Sequence, residues 1–112
     1  MKGESLKGHL DLLILAVLVD GARHGYSIID ELRERSDEAF DLAEGTVYPV
    51  LHRLERSGAL SSEWSESGGR RRRTYRLTAS GRAKLVDERL SWQQFSTAVT
   101  AVVGRQPWPS MP

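Results

Sequence analysis

Apolar positions near the start of the chain predict two helices of different character. From His9 to Val19 almost every residue is apolar, which is too continuous for a helix with one face in water, so a helix there must be covered on most of its circumference. From Gly25 to Ser36, Ile28, Ile29 and Leu32 share one face and charged residues fall mostly on the other. The second helix is amphipathic, whereas the first needs more neighbours than one small fold supplies.

A third helix is predicted from Gly45 to Ser57. Four apolar residues at helical spacing form its inward face: Val47, Val50, Leu51 and Leu54. This leaves a polar outward set: Thr46, Tyr48, Pro49, His52, Arg53 and Arg56. Pro49 lacks a donor and its ring presses on the carbonyl of Gly45, whose missing side chain lets the first turn adjust. Gly58 then ends the helix as a left-handed cap.

Two strand-like runs follow and predict a hairpin. Ala59 to Glu66 and Thr74 to Thr78 lie on either side of a Gly-rich polar stretch that ends in Arg70 to Arg73. We expect the four arginines on a flexible hairpin tip. The residues expected to point inward are Trp64, Tyr75 and Leu77.

The last element predicted is a long helix from Ala79 to Gly104. Its apolar residues recur at alternating steps of three and four, interrupted at Glu88, and they are Leu85, Trp92, Phe95, Val99 and Val102. Such a stripe requires a partner helix. Residues 105–112 contain three prolines and are expected to form a loose tail.

Composition limits the class of protein. A chain of 112 residues suits one modest domain, and the absence of cysteine excludes a disulfide framework, a thiolate metal site and a cysteine nucleophile. The longest apolar run, Leu12 to Val19, is too short for a membrane span of roughly 20 residues. Asp11 and Asp20 flank it, which argues against a signal peptide. We expect a soluble, cytoplasmic protein without a membrane partner.

The distribution of charge is more informative than its total. The formal net charge is only +1, but residues 30–44 carry seven acids against two arginines. Residues 67–86 carry seven bases and no acid. The second half of the chain therefore holds a concentrated positive patch.

The order of these elements is that of a winged helix-turn-helix, in which the third helix enters the DNA major groove and the hairpin, or wing, lies over the backbone. The fold class predicted is α+β, mainly α. Residues 1–78 would form the DNA-binding domain and residues 79–104 a C-terminal dimerisation helix. A helix start at Gly45 and Thr46 presents free N–H groups and a positive dipole end to a phosphate.

Side chains at the right elements support DNA binding. Tyr48, His52 and Arg53 point outward about one turn apart and are able to reach phosphates or base edges. Arg70 to Arg73 repel one another unless an anion is bound, and a phosphate backbone is the natural counterpart. A solvated loop that confers solubility is the alternative for the arginine run on its own.

Four strings in the chain resemble the pattern of the PadR family of transcriptional regulators. They are His24-Gly25-Tyr26, Glu44-Gly45-Thr46-Val47-Tyr48-Pro49, Leu51-His52-Arg53-Leu54-Glu55, and Tyr75-Arg76-Leu77-Thr78 with Gly81. The resemblance covers Leu10 to about Lys84, and the single C-terminal helix is similar to that of the subgroup with a short C-terminal helix.

The resemblance implies a ligand-responsive repressor that binds an inverted-repeat operator in double-stranded DNA as a homodimer. It places Tyr26, Gly45, Thr46, Tyr48 and the wing arginines in contact with DNA. It also implies pairing through the first and last helices. The interface residues expected from this are Leu13, Val17, Leu85, Trp92, Phe95, Val99 and Val102.

A small planar aromatic effector is a further implication of the resemblance. In some short members an aromatic residue of the last helix sandwiches a flat ligand across the dimer axis, and Trp92 lies at the corresponding place, with Phe95 nearby. Alternatively, both aromatic residues simply fill the dimer interface.

Other classes of function have less support. His9, His24 and His52 are 15 and 28 residues apart, without the spacing of metal ligands, so neither a metal site nor a cofactor is expected. The acids lack a nearby nucleophile, and Gly68-Gly69 precedes a strand rather than a helix, so we expect no enzyme. The main rival to a DNA-binding regulator is a winged-helix module that binds an acidic protein or RNA.

Overall fold

The computed structural model describes Leu6 and residues 8–104, which fold into four helices and three strands. In chain order these are α1 (Leu10–Val17), β1 (Arg23–His24), α2 (Gly25–Arg35), α3 (Glu44–Arg56), β2 (Leu60–Ser67), β3 (Arg70–Leu77) and α4 (Ala79–Val103). The α+β, mainly α, fold class is confirmed. The predicted loose tail, residues 105–112, lies outside the described residues.

Helices α1, α2 and α3 form the core in the way that their apolar patterns predict. On α1, Ile14 and Leu15 are completely buried, and the helix is shorter than the predicted His9 to Val19 because the chain turns after Val17. On α2 the predicted face of Ile28, Ile29 and Leu32 is buried. Burial of these side chains against one another is the main source of stability of this part of the fold.

Helix α3 begins at Glu44, one residue earlier than predicted, and passes through Pro49 without interruption. Val47, Leu51 and Leu54 are completely buried, while Val50 is only half-buried. Gly58 follows with φ of +87°, as expected of a left-handed cap. The core side of this helix was therefore predicted correctly.

The hairpin differs from its prediction in the position of the arginines. β2 and β3 are antiparallel and pair from Leu60↔Leu77 to Ser67↔Arg70, so the turn contains only Gly68 and Gly69. Both glycines have positive φ, +59° and +78°, as a two-residue type I′ turn requires. Arg70 to Arg73 therefore lie in strand β3, and their predicted placement on a flexible tip is wrong.

A short strand that the sequence did not indicate completes the sheet. β1 pairs with β3 through Arg23↔Tyr75 and His24↔Thr74, which gives the strand order β1-β3-β2. Tyr75 and Leu77 are buried as predicted, but Trp64 is 54% exposed, so its predicted inward position is wrong. We refer to β2, the Gly68–Gly69 turn and β3 as the wing.

Helix α4 is anchored at its start and uncovered beyond it. Its N-cap Thr78 accepts a hydrogen bond from the Gly81 N–H at 3.0 Å. Gly81 packs so closely on the Ala59 carbonyl oxygen that an added Cβ would not fit there. Of this helix only Gly81 and Leu85 are buried, and every residue from Val86 to Val103 is exposed or half-buried.

Asp11 of α1 ties α3 and α4 together through ion pairs. Its carboxylate accepts two hydrogen bonds from the Arg53 guanidinium and lies 3.5 Å from Lys84 Nζ. Burial on its own would raise the pKa of Asp11, but the hydrogen bonds and positive charges of Arg53 and Lys84 lower it. This cluster fixes the position of α3 relative to α1 and α4.

The lowered pKa predicts a stability that depends on acid pH. The ionised carboxylate stabilises the fold fully above its unfolded-state pKa of about 3.9, and this contribution is lost as the pH falls through the lower folded-state pKa. We expect Asp11→Asn to lower the free energy of unfolding by about 1 kcal/mol at neutral pH, since Arg53 is half exposed. The variant should also lose less stability than the native chain between about pH 5 and pH 3.

Urea unfolding followed by circular dichroism measures both effects. Asp20→Asn is the matched control, because Asp20 pairs with Arg35 on the surface, and its effect should stay below about 0.5 kcal/mol. Equal effects of the two substitutions, or the same acid dependence in Asp11→Asn and the native chain, would contradict the role assigned to Asp11.

Candidate nucleic-acid interface

Helix α3 carries five of the ten residues predicted to contact DNA: Gly45, Thr46, Tyr48, His52 and Arg53. Pro49, His52 and Arg53 are exposed on it, and Thr46 is half-buried. The N–H of Thr46 donates to the Ala43 carbonyl at 3.0 Å, so it is not the free donor that the sequence suggested. Gly45 is exposed with open space where a side chain would be, which leaves its backbone accessible to a close partner.

The half-buried Tyr48 links α3 to the start of α2. Its hydroxyl lies so close to Gly25 that a Cβ at that position would overlap the ring. Its ring also makes an edge contact with His52, with centroids 6.3 Å apart. The Gly25 that precedes Tyr26 is therefore a packing requirement of Tyr48, a relation that the sequence pattern alone does not reveal.

Tyr26 stands at the first turn of α2 and is 54% exposed. A hydrogen bond from its hydroxyl to Glu44, together with the negative charge of that carboxylate, raises the pKa of Tyr26. Glu44 also lies in the first turn of α3. An approaching phosphate would meet this carboxylate as well as the helix dipole, so Tyr26 and Glu44 together limit where an anion fits.

The wing presents its arginines on both faces because side chains alternate along a strand. Arg71 and Arg73 flank Trp64, with guanidinium carbons 4.9 and 5.4 Å from the centroid of its ring. Arg73 also pairs with Glu55 of α3 at 3.3 Å. Trp64 is thus a platform that holds two arginines in place, and the sequence reasoning missed it.

A cavity of about 480 Å³ opens between α3, the start of α2 and the wing. It brings together six predicted contact residues: Tyr26, Tyr48, His52, Arg71, Arg72 and Arg73. Gly45, Thr46 and Arg70 do not line it. His24, Glu55, Trp64 and Tyr75 do line it, although none of them was predicted to belong to the site. We call this space the wing cavity.

Arg53 lies apart from the wing cavity. Its guanidinium is held by the Asp11 carboxylate, and this ion pair raises its pKa. Its side chain is still 52% exposed. The structure therefore shows Arg53 as a link between helices, and a phosphate would have to compete with Asp11 for it.

A second cavity lies between α1 and α4. It has a volume of about 500 Å³ and is lined by Leu6, His9, Leu12, Leu13, Phe40, Trp92 and Phe95. The ring centroids of Trp92 and His9 are 5.4 Å apart at 75°, and those of Trp92 and Phe95 are 6.1 Å apart. Both residues predicted to bind an effector thus face one largely apolar space, which we call the α1–α4 cavity.

The residues predicted to form a dimer interface fall into two groups. Val17 and Leu85 are buried inside the subunit, at 2% and 6% exposure, so the core of one chain already accounts for them. Leu13 is half-buried. The remaining residues are exposed large side chains of α4: Trp92, Phe95, Val99 and Val102.

Leu6 and residues 8–104 contain no group of three or more His, Asp and Glu side chains that is able to hold a metal ion. Within the same residues, no helix is both long and apolar enough to cross a membrane.

Comparisons with known proteins agree with one another. The model of the transcriptional regulator PadR-like family matches residues 14–87. A Mycobacterium tuberculosis transcriptional regulator is 40% identical over 88 residues, which cover 79% of each chain.

Two solved structures are similar to this fold. A PadR family transcription regulator from Clostridium difficile superimposes with a TM-score of 0.76 at 33% identity, over 86% of this chain and 99% of that one. A transcriptional regulator from Clostridium thermocellum gives 0.80 at 28% identity, over 88% and 93%. With its four helices, its winged sheet and a family match over more than half its length, the chain belongs to the PadR-like family of transcriptional regulators.

Proposed function

We propose that this protein is a transcriptional repressor that binds an inverted-repeat operator in double-stranded DNA as a homodimer and blocks transcription by occlusion. The observation that carries the proposal is the wing cavity, which three arginines, three tyrosines and His52 of α3 border together. Such a function places the protein in the cytoplasm with the DNA, without a catalytic role.

The charges of the wing support a polyanionic partner. Among the described residues, no carboxylate forms an ion pair with Arg70, Arg71 or Arg72. Several uncompensated cations on one hairpin repel one another, and an approaching phosphate backbone removes that repulsion and releases counterions. In this arrangement α3 enters the major groove and the wing contacts the backbone beside it.

The uncovered face of α4 supports a homodimer. Trp92, Phe95, Val99 and Val102 recur on one side of a helix that leaves the core after Leu85. In water these exposed apolar side chains are unfavourable, and a second copy of the helix would bury them. Pairing there would set the two α3 helices about one DNA turn, roughly 34 Å, apart.

The wing arginines predict the salt dependence of DNA binding. Replacing Arg70 to Arg73 together by alanine should weaken binding to every duplex and lower the slope of log K against log salt by about 2 to 4, since each phosphate neutralised contributes about 0.9. Fluorescence anisotropy with a labelled duplex from the upstream region of the gene measures this slope.

Arg76→Ala is the matched control, because Arg76 lies nearer the base of the wing and pairs with Glu63 at 3.6 Å. In this variant the slope of log K against log salt should change by less than one. An unchanged slope in the fourfold variant would contradict a wing contact. Equal affinity for duplexes of any sequence, or tighter binding to RNA or an acidic protein, would favour the rival interaction module.

The apolar face of α4 predicts a variant that separates the subunits. Val99→Glu places a charge in the proposed interface, while in a single subunit the residue is already 41% exposed. We expect sedimentation equilibrium to show a dimer for the native chain. For the variant, the dissociation constant of the dimer should rise at least tenfold. Thr97→Glu, on the opposite side of α4, should remain dimeric, and a monomeric native protein would contradict the proposal.

A flat aromatic effector is a second candidate function, favoured by the α1–α4 cavity. This space is lined mainly by apolar and aromatic side chains, and its volume is within the range of small-molecule sites. Trp92 and Phe95 stand at its edge, where the same residues of a second subunit would complete a sandwich.

Acridine, a flat tricyclic compound, tests this site. Its fluorescence anisotropy should rise with the native protein, and Trp92→Leu should weaken that binding at least tenfold while the apolar leucine keeps the protein dimeric. Trp64→Phe, which removes an exposed tryptophan far from this cavity, is the control and should bind acridine normally. Binding that persists in Trp92→Leu would show that the two aromatic residues only pack in the interface.

A further inference from the structure

His24 joins the wing to the start of α2. It is the last residue of β1 and the N-cap of α2, where its Nδ1 accepts a hydrogen bond from the Ser27 N–H at 3.2 Å. Its other ring nitrogen, Nε2, faces Arg72 Nη1 of β3 at 3.1 Å. Both nitrogens of one imidazole therefore face N–H donors.

An imidazole is not able to accept both hydrogen bonds. The neutral ring has one lone pair and one N–H, and the protonated ring has two N–H groups and no acceptor. Because the Ser27 N–H occupies the lone pair of Nδ1, the proton lies on Nε2, and Arg72, which is only a donor, meets a second donor there. The opposite tautomer merely moves the conflict to Ser27. The His24–Arg72 pair therefore lacks one acceptor.

The surroundings do not supply that acceptor. Within the described residues Arg72 forms no ion pair with a carboxylate, and Glu55, in the wall of the same cavity, already accepts from Ser62 and Arg73. The hydroxyl of Tyr75, a completely buried residue that also lines the cavity, interacts with Arg73 rather than with Arg72.

The surroundings of His24 favour the neutral form of its ring, against the opposing charge of Asp30. Burial lowers its pKa, and the positive charge of Arg72 lowers it further. The pair therefore presents one cation and one neutral N–H donor, and both point into a space of about 480 Å³. The first turn of α2 lies next to them, and its dipole favours an anion.

We propose that His24 and Arg72 together bind one phosphate group of the DNA backbone. Two oxygens of the phosphate would accept from His24 Nε2–H and from the Arg72 guanidinium, which removes the conflict between the two donors. This inference rests on the proposed DNA-binding function and adds to it a phosphate contact at the junction of the wing and α2. A phosphate held there fixes the wing against the helical body.

Two substitutions at His24 separate its two nitrogens. Asn is a good N-cap and replaces Nδ1, but it ends short of the Nε2 position, whereas Gln reaches that position and caps poorly. We expect His24→Asn to keep its melting temperature and to bind duplex DNA roughly tenfold more weakly. His24→Gln should melt at a lower temperature and bind more tightly than His24→Asn.

The salt dependence distinguishes the neutral donor from the cation. Arg72→Gln should lower the slope of log K against log salt by about 0.9, and His24→Asn should leave that slope unchanged. The double variant should lose less affinity than the product of the two single losses, because both contact one phosphate. The proposal would be overturned if His24→Asn bound DNA as tightly as the native chain, or if the losses of affinity in the two single variants simply added in the double variant. It would also be overturned if the less stable of the two His24 variants were the one that bound DNA more weakly.

Nitrogen-15 NMR of the His24 ring separates this inference from the proposed function. The free protein should show the Nε2–H tautomer, and duplex DNA should shift that nitrogen. If the native protein does not bind duplex DNA, both the proposed function and this inference are wrong. That holds even if millimolar inorganic phosphate shifts the nitrogen-15 resonances of the His24 ring. If duplex DNA binds but leaves the His24 ring and the Arg72→Gln slope unaffected, only the inference is wrong.

Discussion

The packing of α1, whose residues are all buried or half-buried, is the constraint on which the rest of the structure depends. Ile14 and Leu15 are completely buried in the core that α1 forms with α2 and α3, while Leu12 and Leu13 line the α1–α4 cavity. Asp11, on the same helix, holds Arg53 of α3 and Lys84 of α4. A helix of eight residues thus sets the position of α3 and that of α4, the helix proposed to pair the subunits. This requirement explains why the segment is so uniformly apolar.

The wing shows where a sequence pattern leads to the wrong structure. A run of four arginines indicates a loop if it is treated as one charged segment. In β3, however, the four side chains alternate between the two faces of the strand, so neighbouring arginines point away from each other. The Gly68-Gly69 pair determines where the hairpin turns, since two glycines with positive φ close a hairpin without further residues. Placing the turn there pairs Trp64 with Arg73, which moves the tryptophan out of the core and under the arginines.

The parts of the site that depend on local pattern could be predicted, and those that depend on distant contacts could not. The outward face of α3 follows from helical periodicity, and His52 lies where that periodicity places it. Arg53 was assigned to DNA on the same grounds, but its partner is Asp11, 42 residues earlier. His24 was considered only as a metal ligand and as part of a family string, because nothing in a sequence shows that an N-cap histidine and a wing arginine meet on one ring.

The position of α1 also bears on how an effector would act on DNA binding. A ligand shifts the affinity for DNA only by as much as it favours one arrangement of the subunits over another. The α1–α4 cavity and the Asp11 cluster contact the same helix, so a ligand that moved α4 against α1 would strain the Lys84–Asp11 contact at 3.5 Å, next to the Arg53 ion pair. Because Asp11 holds α3 to α1, such a movement would change the position of α4 rather than that of α3 within its subunit. In the proposed dimer, an effector would therefore alter the separation of the two subunits' α3 helices rather than the position of α3 within a subunit.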